Sequence, residues 1–321
     1  SGRIIAHAFS DDQIFAAGIV IEGSVASTAE INIANTGEII ASATAGDSYD
    51  ATALGILITG DVAGSITNNG NISVEAVDAS FGSSAIGVGI AIQGALSGSI
   101  VNNGQISLDV QAENAEQDGA AVSVGSISED GSVVNDGSIV ITLKTEYADV
   151  SGIYVDDTSD SMAGEIINNQ RIEISNQFLG DHQTYYGINV RPDVVGSVTN
   201  NGEIVLTALA SDSVELEGIH VGSVSQTGTV TNNGSIELTA LNSDDEIAVT
   251  GIHVNGDMEG MVSNTGEINI IATQFNETSD GIEAGGIWVD GELIGTVSNS
   301  GDISVVATAA YGSDVSAYGI Y

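Results

Sequence analysis

The chain has 321 residues, of which 44 are Asp or Glu and only four are Lys or Arg, so its formal net charge is −40. This charge excludes proteins that bind nucleic acids or anionic membrane surfaces, because both require clustered Lys and Arg. Apolar residues still make up 42% of the chain, which favours a folded protein over a disordered one. The chain has no cysteine, which excludes disulfides and thiolate chemistry, and it has no apolar run long enough for membrane insertion.

A phrase of the form Gly-Ser-Val-Thr-Asn-Asn-Gly-x-Ile-x-Val-x-Ala recurs along the chain, for example at 196–208 and 228–240. A second phrase, Gly-Ile-x-Val, keeps the same period, as at Gly218 and Gly251. The first Asn of the longer phrase returns every 32 to 35 residues, at Asn35, Asn68, Asn102, Asn135, Asn168, Asn200, Asn232, Asn264 and Asn299. A repeat of this length predicts stacked structural units.

Each unit predicts three short strands, because its apolar residues alternate with a period of two. Strand A contains the Gly-Ile-x-Val phrase, with Ile219 and Val221 facing inward in one copy. Strand B ends at the first Asn, and strand C follows the next Gly, with Ile236 and Leu238 inward. We therefore predict an all-β fold: a parallel β-solenoid of about ten coils of ~33 residues, forming a single domain over 1–321.

The repeated Asn lies at the corner between strands B and C, where stacked side-chain amides would form a ladder that satisfies buried polar groups. The second Asn and the Gly after it, as in Asn69-Gly70 and Asn201-Gly202, both suit positive φ, which a sharp bend between strands B and C requires. Coil five carries Asn169-Gln170 instead, which predicts a locally different corner.

These phrases resemble the repeats of β-solenoid passengers and haemagglutinin-like adhesins of bacterial cell surfaces, which are autotransporter-type proteins. The resemblance covers essentially the whole chain. It implies secretion, an extracellular position at the cell surface, and a role in adhesion, in a biofilm or in an extracellular filament. It implies no catalytic residue and no particular ligand.

Both ends of the sequence fall inside a repeat. Residues 1–8 match the end of strand B and strand C, and Tyr321 falls within strand A. We expect either a segment of a longer array that continues into further repeats, or a subunit that self-associates end to end.

Variable acidic loops are predicted between strands C and A, on one edge of the solenoid. Two groups of their acids offer oxygen ligands suited to Ca²⁺: Asp156, Asp157 and Asp160, and Asp244, Asp245 and Glu246. Because no calcium-binding motif surrounds them, we predict diffuse Ca²⁺ or other divalent counter-ions and neither a specific metal site nor a cofactor. His220 and His253 lie one coil apart, but two histidines are too few for a closed zinc site.

The outward residue of strand A forms a column without acids, which indicates a strip that is either covered by loops or used in a contact. The candidate contact residues are Tyr154, Asn189, His220, His253, Trp288 and Tyr321. Their aromatic rings and imidazoles could stack on the sugar rings of a glycan or a cell-surface receptor, or pack rods side by side.

The chain is not predicted to be an enzyme and has no candidate catalytic residue. Enzymes that cleave acidic polysaccharides on β-helices need basic groups, and the four here are scattered. The favoured function is a structural extracellular protein that forms a stiff rod. The alternatives are a glycan- or receptor-binding adhesin segment and, more remotely, a polysaccharide-cleaving enzyme. The charge further predicts rods that bundle when salt or divalent cations are added.

Overall fold

The computed structural model describes residues 2–10, 14–25, 32–46, 50–78, 84–112, 118–156, 161–242, 246–275, 281–310 and 313–321. These residues form β-strands joined by turns and contain no helix. Accordingly, no helix in the described ranges could cross a membrane. The all-β prediction is confirmed.

The strands fall into the three predicted classes and two short extra strands. Class C comprises β1 (Arg3–Ser10), β4 (Glu38–Ala45), β7 (Asn71–Asp78), β10 (Gln105–Ala112), β13 (Ser138–Lys144), β17 (Arg171–Asn176), β23 (Ser235–Asn242), β26 (Glu267–Gln274) and β29 (Asp302–Thr308). Class A comprises β2 (Ile14–Ile21), β5 (Ala51–Ile58), β8 (Ala85–Leu96), β11 (Asp118–Ile127), β14 (Tyr147–Val155), β18 (Gly180–Val190), β24 (Ile247–Val254), β27 (Ile282–Val289) and β30 (Val315–Ile320). Class B comprises β3 (Asn32–Asn35), β6 (Ser65–Asn68), β9 (Ser99–Asn102), β12 (Ser132–Asn135), β16 (Glu165–Asn168), β20 (Ser197–Asn200), β22 (Thr229–Asn232), β25 (Met261–Asn264) and β28 (Thr296–Asn299). The extra pair is β15 (Ser161–Met162) and β19 (Asp193–Val194), and β21 (Glu203–Val221) joins classes C and A.

Each strand pairs in parallel with the equivalent strand of the next coil, so like residues stack on like. In class B, Asn200 pairs with Asn232 and Val198 with Val230. The nine class B strands form one sheet in coil order, with eight steps between them. The parallel β-solenoid is thus confirmed, with about eight turns of ~33 residues rather than the predicted ten. The prediction was higher because classes C and A each have ten strands in the described residues, with β21 counted in both, whereas class B has nine.

The core is a continuous stack of inward apolar side chains. Val198 and Val230 of class B, and Ile204 and Ile236 of class C, are fully buried. A column that the repeat analysis missed lies between classes A and B and contributes further to this core. Most of its members pair through isolated bridges or the two-residue strands β15 and β19, and the buried ones include Val25, Val62, Leu96, Met162, Val194, Val224 and Met258.

The Asn ladder is confirmed. The side-chain amide of each Asn donates to Oδ1 of the Asn one coil further along, from Asn35 to Asn299, at 2.7–2.8 Å. Asn68, Asn200, Asn232 and Asn264 have no exposed surface. The ladder therefore satisfies amides that would otherwise be buried without partners.

The glycine after the two Asn residues is required by close stacking and not by its φ angle, so the predicted positive φ is wrong. Among the described glycines only Gly23 has a positive φ, of 107°. A Cβ on Gly70 would instead overlap the carbonyl oxygen of Gly37, and one on Gly234 would overlap that of Gly202. Successive corners lie backbone on backbone, which leaves no room for a side chain pointing along the rod.

The predicted irregular corner at Asn169-Gln170 is also wrong. Asn168 keeps its ladder bond to Asn200 at 2.7 Å and donates to the Gln170 carbonyl at 2.9 Å. A Cβ on Gly202 would overlap the Gln170 carbonyl oxygen. In the same way, a Cβ on Gly234 would overlap the carbonyl oxygen of Gly202 in the coil before it. The corner is thus set by the stack and tolerates Gln at this position.

The connection from strand C to strand A does not form a loop in every coil. In β21 the chain remains extended for 19 residues, through Ser211 and Asp212. Most of the predicted acidic loop residues, including 113–117 and 276–280, lie outside the described residues.

Candidate functional site: a groove along the class A strands

The class A strands change phase at the glycine of the Gly-Ile-x-Val phrase, as β21 does at Gly218, which places two outward columns side by side. In β21, Leu216 and Ile219 both face the core and are fully buried, although they are three residues apart. Glu217 and His220 therefore lie on the same outer side, with Glu217 Oε2 2.6 Å from His220 Nδ1. Strict alternation would have assigned Glu217 to the core.

The two columns define a surface that we call the outer groove. One column is the predicted contact strip, in which strand pairing aligns Tyr154, Asn189, His220, His253 and Trp288. Tyr321 continues this strip by bonding its amide to the Ile287 carbonyl. The facing column, which the sequence analysis missed, consists of Ser151, Tyr186, Glu217, Thr250, Gly285 and Tyr318.

From Asn189 to His253 the contact strip is recessed rather than flat and exposed. Asn189 is only 3% exposed, and the side chains of His220 and His253 are each 16% exposed. Its margins also carry acids, because Tyr154 donates to Asp156 and Trp288 donates to Asp290. The contact strip itself contains no acid, but Asp156 and Asp290 lie beside it.

An open cavity of about 310 Å³ occupies one stretch of the outer groove. Its lining includes Ser123, Asp149, Tyr154, Asn189 and Arg191. The Arg191 guanidinium lies 5.5 Å from the centre of the Tyr154 ring. Oδ1 of Asn189 is buried and accepts no hydrogen bond from the described residues. The cavity therefore combines a stacked aromatic ring with polar groups of both charge signs.

A cluster of histidines and acids lies further along the outer groove. The Glu217 carboxylate lies between two imidazoles: Oε2 is 2.6 Å from His220 Nδ1, and Oε1 is 2.8 Å from His253 Nδ1. The other ring nitrogen of His253, Nε2, lies 3.0 Å from Asp290 Oδ2. The rings of His220 and His253 meet edge to face at 5.3 Å.

Burial and hydrogen bonding compete at this cluster. Burial alone would raise the pKa of Glu217, but hydrogen bonds with His220 and His253 outweigh it and lower the pKa to about 2. Burial acts to lower the pKa of His253, yet its bonds to Glu217 and Asp290 raise it to about 9. Burial, followed by repulsion from Glu217, raises the pKa of Glu215 to about 7. Glu217 is therefore a charged, buried carboxylate at neutral pH.

Aromatic rings fill the outer groove beyond the cluster. The Trp288 ring lies 4.1 Å from that of Tyr321 and 5.6 Å from that of Tyr318, measured between centroids. A Cβ on Gly285 would lie 2.9 Å from the Trp288 ring, so the glycine makes room for the indole. Of these three rings Tyr321 is 59% exposed, whereas Trp288 and Tyr318 are half-buried.

The two groups of acids that could offer oxygen ligands to Ca²⁺ lie largely outside the described residues. Asp157, Asp160, Asp244 and Asp245 lie outside the described residues. Among the described residues, one group of His and acidic side chains is close enough to share a metal ion, namely Glu217, His220 and His253.

The basic residues are separated by the fold, as their spacing predicted. Arg3 pairs with Glu38 at 2.6 Å and Lys144 with Asp109 at 3.6 Å, while Arg171 bridges Glu173 and Glu203. Arg191 lies over Tyr154 instead.

Comparisons with protein-family models, with curated proteins and with solved structures gave no match to this chain.

Proposed function

We propose that the chain is a structural protein, a stiff β-solenoid rod that forms part of a bacterial surface adhesin or extracellular filament. The observation that carries this proposal is the unbroken Asn ladder, eight consecutive bonds from Asn35 to Asn299. Sliding one coil past the next would break the ladder bond between them together with the backbone bonds of the paired strands, as between Asn200 and Asn232, so the ladder favours stiffness.

In this proposal the rod lies outside the cell and catalyses no reaction. The four basic residues are kept apart by the fold, and three of them are occupied by carboxylates. A polysaccharide-cleaving site would need such groups gathered around one acidic sugar. Association of rods end to end, or continuation into further repeats, belongs to the same proposal.

Electron microscopy of the natural material, with antibody labelling of intact source cells, tests this function. Labelled fibres or rods at the cell surface are the expected result. Labelling that appears only after the cells are permeabilised would overturn the extracellular role, and labelled particles without elongated form would overturn the structural one.

A second candidate function is glycan or receptor binding in the outer groove. The cavity with Tyr154, Asn189 and Arg191, and the rings of Trp288, Tyr318 and Tyr321, support it, because sugars bind to stacked aromatic faces bordered by polar groups. A glycan array probed with the wild-type chain and with Trp288→Ala is the test. Binding that persists unchanged in the variant would exclude the ring cluster, and an array with no bound glycan would leave the structural function alone.

A further inference from the structure

We infer that Glu217, His220 and His253 form a binding site for a borderline divalent metal ion, of which Zn²⁺ is the best fit. The three candidate ligand atoms lie within 4.8 Å of one another. They come from two successive coils, so the solenoid stack itself sets their separation. The proposal goes beyond the structural function and does not depend on glycan binding in the outer groove.

The ligand types favour zinc over the hard cations that an acidic surface attracts. Two imidazole nitrogens and one carboxylate oxygen make a three-ligand zinc set that leaves a fourth position open. Mg²⁺ and Ca²⁺ prefer oxygen ligands alone. Both histidines retain 16% exposure, so an ion can enter from the outer groove.

The outer contacts also fit a metal site. His253 directs Nδ1 toward Glu217 and Nε2 toward Asp290, at 2.8 and 3.0 Å. A metal-bound histidine usually donates its other N–H to a carboxylate, which fixes the ring orientation. Asp290 is therefore a positioning residue. Zn²⁺ would displace the ring protons that face Glu217, and these would leave to solvent.

The charge of −40 makes diffuse cation binding the main competitor to this interpretation. The measurement is therefore a Zn²⁺ titration against a chromogenic chelator, in KCl and excess Mg²⁺ that occupy the acidic surface. We expect one Zn²⁺ per chain under these conditions. Replacing Zn²⁺ by Co²⁺ should give visible absorption bands of a four-coordinate site.

Variants locate the site. Asp290→Asn should weaken Zn²⁺ binding about 10-fold or more through loss of the positioning contact. His220→Gln and His253→Gln remove ligands and should weaken binding further. The matched control is His182→Gln, since His182 also lies beside a carboxylate, 3.3 Å from Asp212, but lacks a second histidine.

Each variant is first compared with the wild type for unfolding temperature in the presence of EDTA, so that a folding defect is separated from loss of the site. Wild-type affinity in both His220→Gln and His253→Gln, or displacement of Zn²⁺ by Mg²⁺, would overturn the proposal. Equal weakening in His182→Gln would overturn it as well.

Discussion

Cγ2 of Ile268 occupies the space that a side chain on Gly251 would need, because a Cβ built on Gly251 would lie only 2.5 Å away from it. The same Cβ would lie 2.5 Å from the carbonyl oxygen of Gly286, in the next coil. In the coils that carry the Gly-Ile-x-Val glycine, two close approaches explain it, whereas β11 has Ala121 at the equivalent position. One is to the Ile of strand C in the core, and the other is to the backbone of the neighbouring coil.

Gly251→Ala should lower the free energy of unfolding by about 1–3 kcal/mol, because the Gly286 carbonyl and the buried Ile268 side chain must shift to admit the added methyl group. Guanidinium unfolding followed by circular dichroism measures the change. Thr250→Ala, at the adjacent outward position, is the control and should change stability by less than about 1 kcal/mol. Equal stability of Gly251→Ala and wild type would contradict the packing argument.

Asn200→Ala should destabilise the chain by about 2–4 kcal/mol, since it removes a buried amide, takes the ladder donor from Asn232 Oδ1 and takes one acceptor from the Asn168 amide. The control is Asn201→Ala. Asn201 makes an analogous bond to Asn169 at 2.8 Å, but in an exposed ladder, where loss of the bond should cost less than about 1 kcal/mol. Chemical unfolding of both variants in parallel measures the two losses of unfolding free energy. Similar losses in the two variants would show that burial of the ladder amide does not control its contribution to stability.

Asn189→Val should stabilise the chain by about 1 kcal/mol, because Oδ1 of Asn189 is buried and accepts no hydrogen bond from the described residues. Asn189→Asp should have the opposite effect, since it places a charge at a residue only 3% exposed. Thermal unfolding of the two variants checks both signs. Destabilisation by Val would mean that Asn189 gains a partner in the folded protein.

Trypsin should leave the folded rod intact beyond Arg3. Arg191 precedes Pro192 and is therefore not a cleavage site. Lys144 ends β13, and Arg171 lies in β17 between paired strands, so cleavage requires local unfolding of the stack. Mass spectrometry of digests with and without urea measures this. Cleavage at Arg171 at equal rates in both conditions would contradict a continuous stack.

Adding salt should promote side-by-side association, because the net charge of −40 keeps rods apart at low ionic strength. Light scattering during titration with NaCl, and with MgCl₂ at matched ionic strength, follows the association. We expect scattering to rise in both titrations, and earlier with Mg²⁺. Scattering indifferent to ionic strength would show that lateral repulsion does not control assembly.

The sequence alone determined the repeat, the strand classes and the Asn ladder, because in a stacked fold each of these depends on local alternation and on the return of like residues to like positions. Asn200 and Asn232 could be paired from their spacing of 32 residues, before any coordinates were known.

Only the tertiary structure determined which side chains of class A meet in the outer groove and why the corner glycines are needed. Strict alternation turns Glu217 inward, whereas the phase change at Gly218 brings it beside His220 and, from the next coil, His253. A signal for this change was present, since inward Leu216 and Ile219 are spaced by three rather than two. The reason for each corner glycine was likewise a close approach between coils, as at Gly70 over Gly37. Distances between coils depend on how the backbones of neighbouring coils stack, and the sequence of a single repeat does not predict them.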